Sequence, residues 1–308
     1  MLVGSVVSFR QDHITVLPEM VRPPITGKHA SNTVTDVNVS LTISKMRIIN
    51  LKSMEVQYEV SLHQRWIDSR LSSDDNSRRF AVSGAIWRPK LAFSSGRATP
   101  DFDDSSQFWR SWGTGNVLYS ERYTLFTECS TNFQLFPFDK QRCLIKISSY
   151  RFPMDEVALK WHSKSAVEVV VSRDLISFQL TDSFTFTEVE KRPSGNFTVL
   201  VVELLLSRNP EHILIFGVLA SLILVFISYL ALWISVEACS ARVLLPLAST
   251  LAMFEVHRKM TLDVPQTSYI KPADTWIILC SFYSFLPLIQ TTVVGAITRQ
   301  SQKVNFLR

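Results

Sequence analysis

Residues 129–143 read CSTNFQLFPFDKQRC, two cysteines around thirteen residues. Phe133 and Leu135 alternate like a strand, Phe136-Pro137-Phe138-Asp139 makes a turn, and Lys140-Gln141-Arg142 leads back. Pro137 fixes its own φ and biases Phe136 toward extended backbone. The chain therefore reverses there and presents two aromatic rings beside a carboxylate. A disulfide closing so short a loop is worth roughly 3 kcal/mol in the chain-entropy treatment. By residue type alone the stretch is a staple between two strands of a secreted domain.

Working outward, 308 residues allow about two domains. Apolar residues make up 46% of the chain and crowd after residue 210, whereas the charged ones crowd before it, so the two regions face different solvents. The net charge of +5 comes from scattered basic residues. With no Gly-rich phosphate loop and no basic helix, nucleic-acid binding is excluded. Cys129 and Cys143 lie in the polar part, Cys239 and Cys280 in or beside apolar segments, and no zinc or redox spacing occurs. One disulfide with two free thiols fits an N-terminal part outside the cell. MLVGSVVSFR at residues 1–10 is too briefly apolar, and too poor in leading basic residues, to be a signal peptide. A trimmed leader or an incomplete chain is the expectation. No nucleophile–base pair or metal-ligand set stands out, so neither an enzyme nor a cofactor is expected.

Residues 1–35 read as loop, with Val21-Arg22-Pro23-Pro24 extended. Val37, Val39, Leu41 and Ile43 then alternate with polar residues as a half-buried strand, and Asn38-Val39-Ser40 on its polar side is a glycosylation sequon. Met54 to His63 is the clearest strand, running into Trp66-Ile67-Asp68-Ser69-Arg70-Leu71. Ser72–Arg79 reads as a charged loop and Ser94–Gly115 as a long one, with strands from Gly115 to Arg122 and from Leu144 to Ile147. More β segments follow around 157–161, 167–171, 178–180 and 184–186. A hairpin tip at Lys191–Asn196 leads into a last strand, Phe197–Leu206. Short strands divided by turn signals, with no amphipathic helix among them, predict an antiparallel β-sandwich.

After Glu211-His212 the character changes. Ile213–Ile234 carries no charge and spans about 33 Å as a helix, enough for a bilayer. Thr275–Thr298 is a second such stretch with Pro287 inside it. Arg242–Met260 between them ends in Glu255, His257, Arg258 and Lys259, and makes sense only if one face lines water. Ser240, Leu244, Ala248, Leu251, Glu255 and Arg258 fall at steps of three or four, one stripe of a helix.

Together these motifs resemble the Cys-loop receptors, the pentameric ligand-gated ion channels. The spacing of Cys129 and Cys143 around Phe-Pro-Phe-Asp, the W-x-D-x-R-L segment from Trp66, Trp87-Arg88-Pro89, Ala241-Arg242-Val243 and Pro265–Trp276 carry the resemblance. It implies an extracellular β-sandwich at 1–210 and a transmembrane helical region at 211–298, with helices near 213–234, 241–260 and 274–298. A cytoplasmic segment starts at 299–308. A fourth membrane helix, usual in the family, is missing. The resemblance also implies a Cys129–Cys143 disulfide, a plasma-membrane pentamer of like or related subunits, and a glycan at Asn38. The transmitter, an amine or an amino acid, would bind between subunits against Ser61, His63, Tyr119, Tyr150 and Phe197. Amino-acid receptors of the family usually carry an arginine where His63 stands. Coupling would run through Phe136, Pro137, Phe138, Asp139, Arg208, Pro265 and Lys271. The stripe from Ser240 to Arg258 would line the pore. Ala241-Arg242, with no acid at the inner mouth, favours chloride. A cation channel, or a truncated non-conducting or regulatory subunit, is the alternative.

Overall fold

The computed structural model describes residues 22–23, 34–72, 86–101, 106–112, 114–163, 166–170, 177–262 and 264–306. Of the expected N-terminal loop at 1–35 only residues 22–23 and 34–35 are described, Thr35 as the start of the first strand, and residues 73–79 of the expected charged loop lie outside the described residues. The strands are β1 (Thr35–Asn50), β2 (Glu55–Ser72), β3 (Leu91–Phe93), β4 (Gly96–Pro100), β5 (Gln107–Ser111), β6 (Thr114–Glu128), β7 (Lys140–Ser149), β8 (Val157–Trp161), β9 (Val167–Val169), β10 (Phe178–Arg192) and β11 (Gly195–Arg208). They form two packed sheets. One has the order β4-β6-β2-β1-β8, with β5 on β6 and β9 on β1; the other is β10-β11-β7-β3. Pairing is antiparallel except where β8 and β9 run parallel to β1.

Alternation places the core. Val56, Tyr58, Val60 and Leu62 of β2 are buried, and so are Val37, Val39 and Leu41 of β1. Trp66 sits among them edge-on to Trp87 at 5.9 Å and to Trp109 at 6.3 Å, where offset rings bury large areas. Asp68 bonds locally, accepting from the backbone N–H and the guanidinium of Arg70. The Ser94–Gly115 stretch departs from expectation, because it contains β4 and β5. Both lie along β6, where Gly and Pro are tolerated in outer strands. Gly96 is required there: a Cβ would meet the Phe126 carbonyl oxygen at 2.0 Å.

Three helices follow that are long and apolar enough to cross a membrane: Glu211–Trp233, Cys239–Thr261 and one beginning at Pro272 that continues to Phe306. The third outruns the expected end at 298. Small and hydroxylated residues join the three. A Cβ on Gly217 would meet the Met260 sulfur at 2.6 Å, so the first and second helices touch closely there. Ser228 donates to the Ser284 carbonyl at 2.7 Å, Trp276 donates to Ser221 at 2.9 Å, and the Thr250 and Ser284 hydroxyls lie 3.3 Å apart. In an apolar surround, where hydrocarbon offers helices no net attraction, such contacts supply specificity.

Cys129 and Cys143 are bonded to each other, while Cys239 and Cys280 are free. Peptide mapping without reduction should recover that pair and alkylate the other two. Cys129→Ser should cost about 3 kcal/mol of sandwich stability and hold the chain in the secretory pathway, read as lost surface biotinylation. A Cys129–Cys239 peptide would overturn the pairing.

Candidate functional site

The disulfide loop closes on the last strand through one buried ion pair. Arg208 Nε donates to Asp139 Oδ1 at 2.7 Å and Nη2 to Oδ2 at 3.0 Å, a two-point match of guanidinium and carboxylate. The Arg208 backbone N–H also donates to the Asp139 carbonyl at 3.2 Å. The guanidinium lies 4.5 Å from the Phe178 ring centre and 5.1 Å from that of Phe136. Gln141 donates to the same carboxylate and bonds both ways to the Asn132 backbone, which locks the loop. Phe136 and Pro137 are buried, whereas Leu135 and Phe138 flank them exposed at the tip.

The loop meets the linker between the second and third helices. The Phe133 N–H donates to the Tyr269 hydroxyl at 3.0 Å, and Val264 and Ala273 pack into the sandwich's own apolar cluster. Lys52, Ser53 and Glu128 face Pro265–Tyr269 across a groove. Lys271 is buried at the head of the third helix, its ammonium 3.5 Å from Asp274 and 3.4 Å from Thr267.

The five expected ligand residues divide among three places. Ser61 and His63 lie on the outer side of β2. There His63 meets the Thr42 hydroxyl at 3.3 Å and shares a hollow with Ser40, Arg65, Phe108, Ser120 and Glu168. Arg65, two positions on, lines the same hollow and contacts His162 at 2.7 Å. Tyr150 is 82% exposed on the other sheet. Phe197 is nearly buried, and the Arg192 guanidinium covers its ring at 4.6 Å, held by Glu190 at 2.7 Å and Ser148 at 3.3 Å. Tyr119 does not join the outer face. It pairs with Gln64 in register and points, as Gln64 does, to the sandwich interior; Ser120, opposite His63, faces outward instead. The alternation of β6 thus turns Tyr119 away from the cleft that the resemblance implies.

Burial holds His63 below the usual imidazole range, the Arg65 charge adds to this, and Glu168 opposes it. A folded chain that binds the proton less readily than the unfolded one keeps its full stability above about pH 6.5 and loses it as pH falls through that range. His63→Gln should remove that acid loss, measured as a flatter stability profile between pH 7 and 5.

All six residues of the expected pore stripe are exposed in the single chain. The opposite stripe, Arg242, Pro246, Ser249 and Met253, is buried toward the neighbouring helices. Arg242, whose charge figured in the chloride expectation, therefore turns into the bundle, with its Nε buried and unpartnered. Glu255 is engaged along the helix by Arg258 at 3.0 and 2.8 Å.

A β-sandwich whose disulfide loop rests on a linker between apolar helices defines a membrane receptor with its sensing domain outside the bilayer. The family model described as the neurotransmitter-gated ion-channel ligand binding domain matches residues 12–210, and the chain belongs to the neurotransmitter-gated ion-channel family. Its members are membrane-embedded pentamers that bind small-molecule transmitters in an extracellular domain.

Truncating one partner of a buried ion pair strands the other charge. Asp139→Ala and Arg208→Ala should each cost about 3–5 kcal/mol, and the double variant less than their sum. Thermal or denaturant unfolding of the purified protein checks this. Additive losses would mean that the two do not act as a pair.

Proposed function

We propose that the chain is a plasma-membrane subunit of a pentameric transmitter-gated channel, with residues 1–210 outside, 211–298 in the bilayer and the segment from 299 entering the cytoplasm. A small amine or amino acid binding between neighbouring sandwiches, against Ser61 and His63 of one and Tyr150 of the next, is relayed to a pore lined by Ser240, Leu244, Ala248, Leu251, Glu255 and Arg258. The observation that carries this reading is the unbroken contact from sandwich to helix linker, Arg208 to Asp139 and Phe133 to Tyr269. Coupling of that kind needs a contact that differs between resting and open states. Phe136, Pro137, Phe138, Pro265 and Lys271 supply the surfaces that meet there. Asn38, exposed on β1, carries the glycan in this reading.

Anion passage is supported by two features of the second helix. Ser240 and Ala241 at its inner end bring no acid to the mouth, and Glu255 at its outer end is countered by Arg258. Five Leu251 side chains at mid-helix form an apolar constriction that stops ions by dewetting. Leu251→Thr should therefore leak, or raise agonist sensitivity about tenfold, in oocytes given a panel of amines and amino acids. Substituting bath chloride should shift the reversal potential; a reversal that follows sodium alone would sink the anion assignment.

A further inference from the structure

The interior side of β2 and β6 is mostly hydrocarbon, with Tyr58 and Thr127 buried towards one end and Asp68 towards the other. Val60, Leu62, Val117 and Leu125 are buried there as an apolar core requires, but Gln64, Tyr119, Glu121 and Tyr123 stand among them. These four, with Arg88, Lys90 and Leu91 on the way into β3, wall a cavity of 230 Å³. Glu121 is only 9% exposed. One carboxylate oxygen accepts from the Tyr119 and Tyr123 hydroxyls, each at 2.6 Å, and the other from the Gln107 amide at 3.2 Å. Arg88 Nη1 donates to the Tyr119 hydroxyl at 3.4 Å. Placing a carboxylate and two phenols inside a sandwich costs several kcal/mol of desolvation that apolar residues would not incur.

The cluster also leaves one acceptor unfilled. Gln64 is 3% exposed, lines the cavity, and its Oε1 has no donor among the described residues. A buried amide oxygen in that state loses on the order of 1–3 kcal/mol until a donor arrives. Lys90, also in the lining, is an exposed residue on a backbone held at φ +51°. A non-glycine residue in that conformation carries strain of about 1–3 kcal/mol, a feature that gathers at binding sites. The cavity therefore presents acceptors, Gln64 and Glu121, and cations, Arg88 and Lys90, around one space.

We propose that this cavity is a second ligand site, distinct from the face carrying His63, and that it takes a small α-amino acid as its zwitterion. The ammonium group donates to Gln64 Oε1 beside Glu121, and the carboxylate is received by Lys90 and Arg88. The two sites lie on opposite sides of β2, since Gln64 follows His63 and consecutive side chains point apart.

Saturation-transfer NMR on the purified full chain, with glycine, acetate and methylamine as probes, tests this. Ser61→Trp is included to obstruct the outer face. Glycine should saturate with that substitution present, and acetate and methylamine should bind at least about tenfold more weakly, each having one charged end. Gln64→Met removes the acceptor at similar volume and Leu91→Trp fills the cavity; each should weaken glycine about tenfold or more. Lys90→Gln, at an exposed position the fold does not need, should do the same and keeps the test open if the buried variants unfold. No glycine signal, as a cavity holding only water would give, overturns the proposal. So does a signal unchanged by Lys90→Gln, or equal binding of the two half-probes.

Discussion

The Arg208–Asp139 pair fixes the geometry on which everything below the sandwich depends. Burying two opposite charges repays their desolvation only when the geometry is good and the remaining donors and acceptors are filled. Here two guanidinium–carboxylate bonds, a backbone bond, the Gln141 amide and two aromatic faces meet that condition. β11 consequently ends against the disulfide loop. Only Asn209 and Pro210 separate Arg208 from the first helix, and Asn209 is itself tied to the Ser177 carbonyl at 3.0 Å. Pro210 brings no N–H to be left unpaired as the helix opens. The first helix thus leaves the sandwich from an anchored point.

The second helix is held differently. One stripe packs on its neighbours and the other is exposed along its length. Pro246 lies in the packed stripe, where its missing N–H leaves the carbonyl one turn earlier without its helical donor. The hydroxyls of Ser249 and Thr250 donate to the Pro246 carbonyl at 3.0 and 2.7 Å. A helix with a weakened turn, packed on one side only, is the part of the bundle least constrained by its own chain.

Much of this was legible in the sequence because alternation and helical spacing are local properties. The β2 pattern, the cysteine pair and the stripe from Ser240 to Arg258 needed nothing beyond their own neighbourhoods. The misreadings arose where distant residues decide. The resemblance to the receptor family implies Tyr119 on the transmitter-binding face. Its orientation is set instead by Glu121 and Gln64, and a polar pocket inside a sandwich leaves no mark in an apolar count. Ser94–Gly115 read as loop because Gly, Pro and Ser punctuate it, yet an outer strand needs only one partner, and β6 provides it. Arg242 carried a signal that was available. It falls four residues from Pro246 and, through Ser249, in line with Met253, which is the packed stripe and not the exposed one.

β2 connects the regions these residues define. It is bonded to β1 on one side and to β6 on the other along most of its length, so it resists local bending. Its outer side carries Ser61 and His63, its inner side Gln64, and the turn before it brings Lys52 and Ser53 to the groove facing Pro265–Tyr269. From Glu55 to His63 is about 26 Å at the rise of an extended strand. A central strand doubly bonded over that distance is stiff along its length. The disulfide loop reaches the same linker from the other sheet through Phe133 and Tyr269. Both sheets therefore bear on one short segment, Pro265–Tyr269, where the second helix gives way to the third.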